Sequence, residues 1–167
     1  MTATQRIEVA PGVTLHAIVH QVDNDQLDND ALPVLLVHGL ASNARLWDGV
    51  ARHLSAFGHP VVAVDQRGHG QSDKPDDGYD FVTLCADLAA VIDATISRPP
   101  LVVGQSWGGN VVLELTARHS DAVSALALVD GGTMELQGRF ADWPTCEAAL
   151  TPPALERFSA ERFERFL

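Results

Sequence analysis

Leu101-Val102-Val103-Gly104-Gln105-Ser106-Trp107-Gly108-Gly109 is the stretch that decides how this chain reads. It opens on a short apolar run of β type. The run from Gly109 to His119 reads as a helix. The pattern between them, Gly104-Gln105-Ser106-Trp107-Gly108, is G-x-S-x-G. A serine on a sharp strand-to-helix turn is thrown out of the backbone and presented for attack on a carbonyl. The flanking glycines let such a turn close without side-chain clash. The five-residue pattern alone is common, and the strand before it and helix after it sharpen the reading.

Working outward, the neighbouring segments repeat the same rhythm. Pro33 to Val37 and Val61 to Val64 are continuous apolar runs, as expected of strands covered on both faces. Arg45 to Phe57 places Leu46, Trp47, Val50, Leu54 and Phe57 at helical spacing, and Gly58 stops it. Thr83 to Ile96 does the same with Leu84, Leu88, Val91 and Ile92, and Arg98-Pro99-Pro100 breaks it. Ala125 to Val129 is a further strand. Nearer the start, Arg6 to Val9 and Val13 to His20 flank the Pro11-Gly12 turn signal and read as an antiparallel hairpin. Alternating strands and helices predict an α/β fold, a mainly parallel sheet with helices on both faces.

After Gly131-Gly132 the character changes. Residues 133–167 hold no strand-like run, and Trp143 to Leu150 and Pro153 to Leu167 read as two helices. The second carries the apolar stripe Leu155, Phe158, Phe163, Phe166 and Leu167.

Composition narrows the function classes. The 167 residues suit one domain with a real core, and 46% hydrophobic content describes a globular chain. A formal net charge of -11 argues against nucleic-acid partners, which need a basic stripe, and against anionic membrane surfaces. No apolar signal core follows Met1, so a cytoplasmic location is expected. Cys85 and Cys146 are far apart and read as buried thiols. The acidic run Asp23, Asp25, Asp28, Asp30 lacks the glycine and glutamate of a calcium loop, and reads as solvated. No metal-ligand spacing and no phosphate-cradling glycine loop appears, so neither metal nor cofactor is expected.

Four motifs at strand ends resemble the α/β-hydrolase superfamily, in its order and with its spacing. They are His38-Gly39-Leu40, Asp65-Gln66-Arg67-Gly68-His69-Gly70-Gln71-Ser72, the Ser106 turn with Gly109, and Leu128-Val129-Asp130-Gly131-Gly132. The resemblance implies an incomplete α/β-hydrolase fold, with residues 1–132 as the N-terminal part of the core and 133–167 as the start of a helical lid. The family's last strands and its histidine lie beyond such a point, so the chain resembles an N-terminal fragment, a truncated reading frame or one half of a two-chain assembly, at least roughly 60 residues short of the family core at about 30 residues per βα unit.

The resemblance also assigns roles. Ser106 is the candidate nucleophile, and the backbone amides of Trp107 and Leu40 are the candidate oxyanion donors. His38 shapes the oxyanion loop, and Asp65, Arg67 and His69 hold the neighbouring loop, with Asp65 and Arg67 expected as an ion pair. Asp73 belongs to the same structural set. Asp130 has two readings: the triad acid, which some members such as certain haloalkane dehalogenases take from the end of the sixth strand, or a structural aspartate pinning Gly131-Gly132. No histidine follows His119 in the sequence, and His119 lies about 20 Å along its helix from Ser106. Serine in place of aspartate excludes dehalogenation and epoxide opening, because alkylated serine is an ether that water does not cleave.

The expected activity is therefore acyl transfer on a small ester, lactone, thioester or related substrate. The alternative is a non-catalytic truncated relative that serves as an interaction module or pseudoenzyme. The open sixth strand predicts self-association or a complementing C-terminal chain.

Overall fold

A computed structural model of the chain describes residues 2–22, 31–132 and 138–151. Two compact units, Met1–Thr133 and Met134–Leu167, divide it. Within the first, β1 (Thr2–Ala10) and β2 (Val13–His20) form the hairpin, followed by β3 (Val34–Val37), a 3-10 turn (Ala44–Trp47) running into α1 (Asp48–Ala56), β4 (Val61–Val64), α2 (Phe81–Thr95), β5 (Leu101–Gln105), α3 (Trp107–Arg118) and β6 (Ala125–Val129). In the second unit, α4 (Trp143–Leu150) is capped by Asp142, whose carboxylate accepts from the Thr145 amide. The helix expected over Pro153 to Leu167 and the acidic run 23–30 lie outside the described residues.

The six strands form one sheet in the order β1-β2-β4-β3-β5-β6. The hairpin joins β4 antiparallel, and β4, β3, β5 and β6 run parallel. Their register is even: Val34 pairs with Val61 and with Leu101, and Leu101 pairs with Ala125. Val37, Val64, Gly104 and Leu128 therefore stand at one level, and the loops that follow β3, β4, β5 and β6 share one edge. This is the mainly parallel α/β architecture that the sequence predicts.

Strand side chains alternate between faces, so each fully apolar run feeds two cores. Leu35, Val37, Val62, Val64 and Val102 pack with Leu84, Leu88 and Val91 of α2 and Val111, Val112 and Leu115 of α3. Val34, Leu36, Val61 and Ala63 pack with Ala44, Trp47 and Ala51 on the opposite face. Truncating one of the buried leucines, such as Leu115, to alanine would cost about 2–5 kcal/mol.

Several boundaries differ from the sequence reading. The helix read over Arg45 to Phe57 divides into the 3-10 turn and α1, and the one read over Gly109 to His119 runs over Trp107–Arg118. β1 begins at Thr2 rather than Arg6, because Thr2 still finds a cross-strand partner in His20. α2 begins at Phe81 rather than Thr83, because the Asp80 carboxylate accepts from the Thr83 amide and caps the first turn. Among the described residues no helix is long and apolar enough to cross a membrane.

Candidate active site

Ser106 is the single residue between β5 and α3. Its backbone has φ +52° and ψ -120°, a conformation that L-residues avoid at a cost of about 1–3 kcal/mol. Its surroundings hold it there. The Ser106 amide donates to the Val129 carbonyl at 2.9 Å, and its carbonyl accepts from the Gly109 amide at 2.9 Å. Two glycine backbones close in around it. A Cβ on Gly131 would lie 2.5 Å from the Ser106 carbonyl oxygen, and one on Gly39 would lie 3.0 Å from the Ser106 Cβ. The Ser106 side chain makes no capping bond to α3.

The loop after β3 is built around a buried imidazole. The His38 ring is fully buried, with Nδ1–H donating to the Gly39 carbonyl at 2.7 Å and Nε2 accepting from the Gln66 amide at 3.1 Å. Burial pulls its pKa below the ordinary 6.5, although the Gly39 carbonyl opposes this. The ring is therefore neutral with both nitrogens engaged, and takes no proton from Ser106. The Gly39 amide donates to the Gln105 Oε1 at 3.1 Å. Leu40, next along, is exposed, and Ala41 has φ +54°.

Trp107 opens α3, where first-turn amides lack intrahelical acceptors. Its ring stacks on Phe81 of α2, with centroids 5.1 Å apart and planes 27° apart. Asp130 follows β6 with φ +52° and is exposed. Among the described residues no hydrogen bond or ion pair reaches its carboxylate, so it does not pin the Gly131-Gly132 turn through its side chain. Leu40 thus adjoins Gly39, Asp130 adjoins Gly131, and both glycines pack on Ser106. Ala41, Ser106 and Asp130 are the non-glycine residues of positive φ among those described. They follow β3, β5 and β6, so the strained backbone gathers at one edge.

The six other histidines are placed elsewhere. His16 Nδ1–H donates to Asp65 Oδ2 at 2.9 Å in a buried pair on β2, three strand positions from β5 and so about 14 Å away. His20 Nδ1 bonds the Thr2 hydroxyl at 3.2 Å. His53 packs on Phe57, His59 bonds the Leu32 carbonyl, and His69 bonds the Arg67 carbonyl with its ring edge toward His38. His119 is the cap residue at the far end of α3.

The expected Asp65–Arg67 ion pair is not formed. The Arg67 guanidinium instead grips Asp87 of α2 through two bonds of 2.7 Å, both groups buried. Asp65 takes His16 and the amides of Ala44 and Gln71. Both residues lie beyond the end of β4 at Val64, and each side chain meets a partner from another element. Asp87 carried a signal in the sequence. It lies on the face of α2 shared by Leu84, Leu88 and Val91, where a carboxylate demands a buried cation. Gln105 and Gln66, which bond the His38-Gly39 loop, carried none. Asp73 accepts from the Thr14 amide and from Arg6, a structural tie between its loop and the hairpin.

A family model described as alpha/beta hydrolase fold matches residues 33–162. A non-heme chloroperoxidase of Streptomyces lividans is 40% identical over 100 residues, covering 60% of this chain and 36% of its own length. A haloalkane dehalogenase of Mesorhizobium japonicum is 35% identical over 129 residues, 77% of this chain and 39% of its own length. Among solved structures, an esterase from Exiguobacterium antarcticum superposes with a TM-score of 0.68 at 26% identity, covering 77% of this chain and 45% of that one. The match spans less than half the length of each of these relatives.

Proposed function

This chain belongs to the α/β-hydrolase family, and on that premise we propose that it carries the nucleophile and oxyanion donors of a serine hydrolase. Ser106 Oγ attacks the carbonyl carbon of a small ester, lactone or thioester. The oxygen gains charge and is met by the backbone amides of Leu40 and Trp107. Asp130 orients the general base. On this reading the base is none of the histidines described, because no histidine bonds Ser106 and His38, the one in the adjoining loop, has both ring nitrogens engaged. Relatives bearing the names dehalogenase and chloroperoxidase show that the family does not choose the reaction. The residue type does: a serine at the turn suits acyl transfer, since its ester is hydrolysable and its ether is not.

The observation that carries this reading is the Ser106 backbone, held at φ +52° between strand and helix with its side chain unused by the helix. Phenylboronic acid tests it without requiring a base, because the boron becomes tetrahedral on a serine oxygen and presents an oxyanion mimic. We expect a tetrahedral boron signal with the wild-type chain and none with Ser106→Ala. No adduct with either protein overturns the assignment.

A second reading has its own support. No histidine bonds Ser106 among the described residues, which favours a non-catalytic relative. Missing one triad member costs about four to six orders of magnitude. Turnover of p-nitrophenyl acetate by the chain should therefore stay within about tenfold of Ser106→Ala. A large Ser106-dependent rate would place a base within these residues.

A further inference from the structure

We propose that Gln105 is a positioning residue that fixes the oxyanion loop to the nucleophile turn, a role that rests on the Ser106 reading above. Gln105 is the last residue of β5. Strand alternation puts its side chain on the face shared by Leu101 and Val103, which pack toward the α1 core. The β3–β5 register sets Val37 opposite Gly104, so Gln105 stands level with His38. From there its Oε1 accepts the Gly39 amide hydrogen at 3.1 Å, across 66 positions of sequence.

The second grip on Gly39 comes from His38, whose Nδ1–H holds the Gly39 carbonyl at 2.7 Å. That carbonyl and the Leu40 N–H belong to one peptide unit. The described residues contain no cis bond, so the unit is planar and trans. Holding the carbonyl oxygen therefore aims the Leu40 N–H the opposite way. A single hold leaves the unit free to pivot about it. Gln105 removes that freedom at the other end of Gly39, and it does so from the residue bonded to Ser106. The spacing between the Leu40 amide and Ser106 thus passes through one side chain instead of two separate loops.

The fit is close. A Cβ on Gly39 would stand 2.6 Å from the Gln105 Oε1. The residue type also matters. An amide oxygen accepts the Gly39 hydrogen without a net charge. A carboxylate would accept it equally well, yet place a negative charge beside a developing oxyanion.

The test compares wild type, Gln105→Met and Gln105→Glu. Two quantities are read: hydrogen exchange of the Gly39 amide, and the dissociation constant for phenylboronic acid. In Gln105→Met we expect Gly39 exchange to rise about tenfold and the boronate to bind about tenfold more weakly, with the thermal midpoint within a few degrees of wild type. Gln105→Glu should keep Gly39 protected and still bind the boronate more weakly, a split that a purely structural role would not produce. Wild-type boronate affinity in Gln105→Met overturns the positioning role. Should that variant fail to fold, Gln105→Glu decides alone, and wild-type boronate affinity or an unprotected Gly39 in it overturns the proposal. A wild-type chain that forms no adduct overturns the Ser106 reading, and the role of Gln105 falls with it.

Discussion

The loop after β4 and the turn after β5 leave the sheet at the same edge, yet they hold their polar residues in opposite ways. After β4, Asp65 accepts three hydrogen bonds, from His16, Ala44 and Gln71. Ser72 accepts from the His16 amide and donates to the Asp65 carbonyl. Arg67 is clamped on Asp87, whose bond and charge raise the guanidinium pKa despite burial. Near the β5 turn, Ser106 and Asp130 sit in strained backbone, and among the described residues their side chains enter no such network. Two loops with similar residue types therefore do different work. Where a buried carboxylate already accepts three hydrogen bonds from the fold, little capacity is left for a substrate. Where strain is maintained around an unengaged side chain, that capacity is kept.

The largest expected effect would break this contrast most directly. Asp65→Ala strands His16 and two amides in a buried site and should cost about 3–5 kcal/mol in urea unfolding. Asp130→Ala should change stability by no more than about 0.5 kcal/mol. Equal losses at the two positions would erase the distinction between the loops.

A smaller effect should appear with pH. His38, which bonds Gln66 of one loop and Gly39 of the other, and His20 on β2 both have pKa values below the ordinary 6.5, in each case chiefly through burial. Between the folded value and 6.5 each ring binds fewer protons folded than unfolded. Their contribution to stability is complete above pH 6.5 and is lost as the pH falls through the folded values. The slope should reach at most about 1.4 kcal/mol per pH unit for each ring. Because His20 Nε2 is buried without a partner among the described residues, His20→Leu should fold and flatten part of that slope. An unchanged slope would show that His20 titrates freely in the folded protein.

The smallest effects read the strain itself. Asp130→Gly and Ser106→Gly should each stabilise by up to about 1 kcal/mol, the relief of positive φ less the entropy cost of glycine. Ser106→Gly should also abolish the boronate adduct. Thermal melts in which both variants lose stability would show that the backbone at these positions is not strained.

Local chemistry made much of the molecule legible. Val61 to Val64 and Ala125 to Val129 match their strands to the residue, because an uninterrupted short apolar run marks a strand whether it is buried throughout, as β4 is, or partly exposed, as β6 is. The turn at Ser106 was legible for a similar reason, since a strand, a glycine-flanked serine and a helix follow one another within a few residues. The reading also placed His38 in a structural role, and the structure gives that imidazole two backbone partners.

What the sequence by itself determined, then, is the elements, their order and the residues delivered to one edge, all of them properties of short windows in which neighbours along the chain are neighbours in space. Tertiary structure alone decided the strand order β1-β2-β4-β3-β5-β6, the choice of Asp87 rather than Asp65 by Arg67, and the hold of Gln105 on Gly39. Each of these joins groups 20 or more positions apart. Their partners are selected by register and by which face a side chain leaves, and those are fixed only once the sheet has assembled.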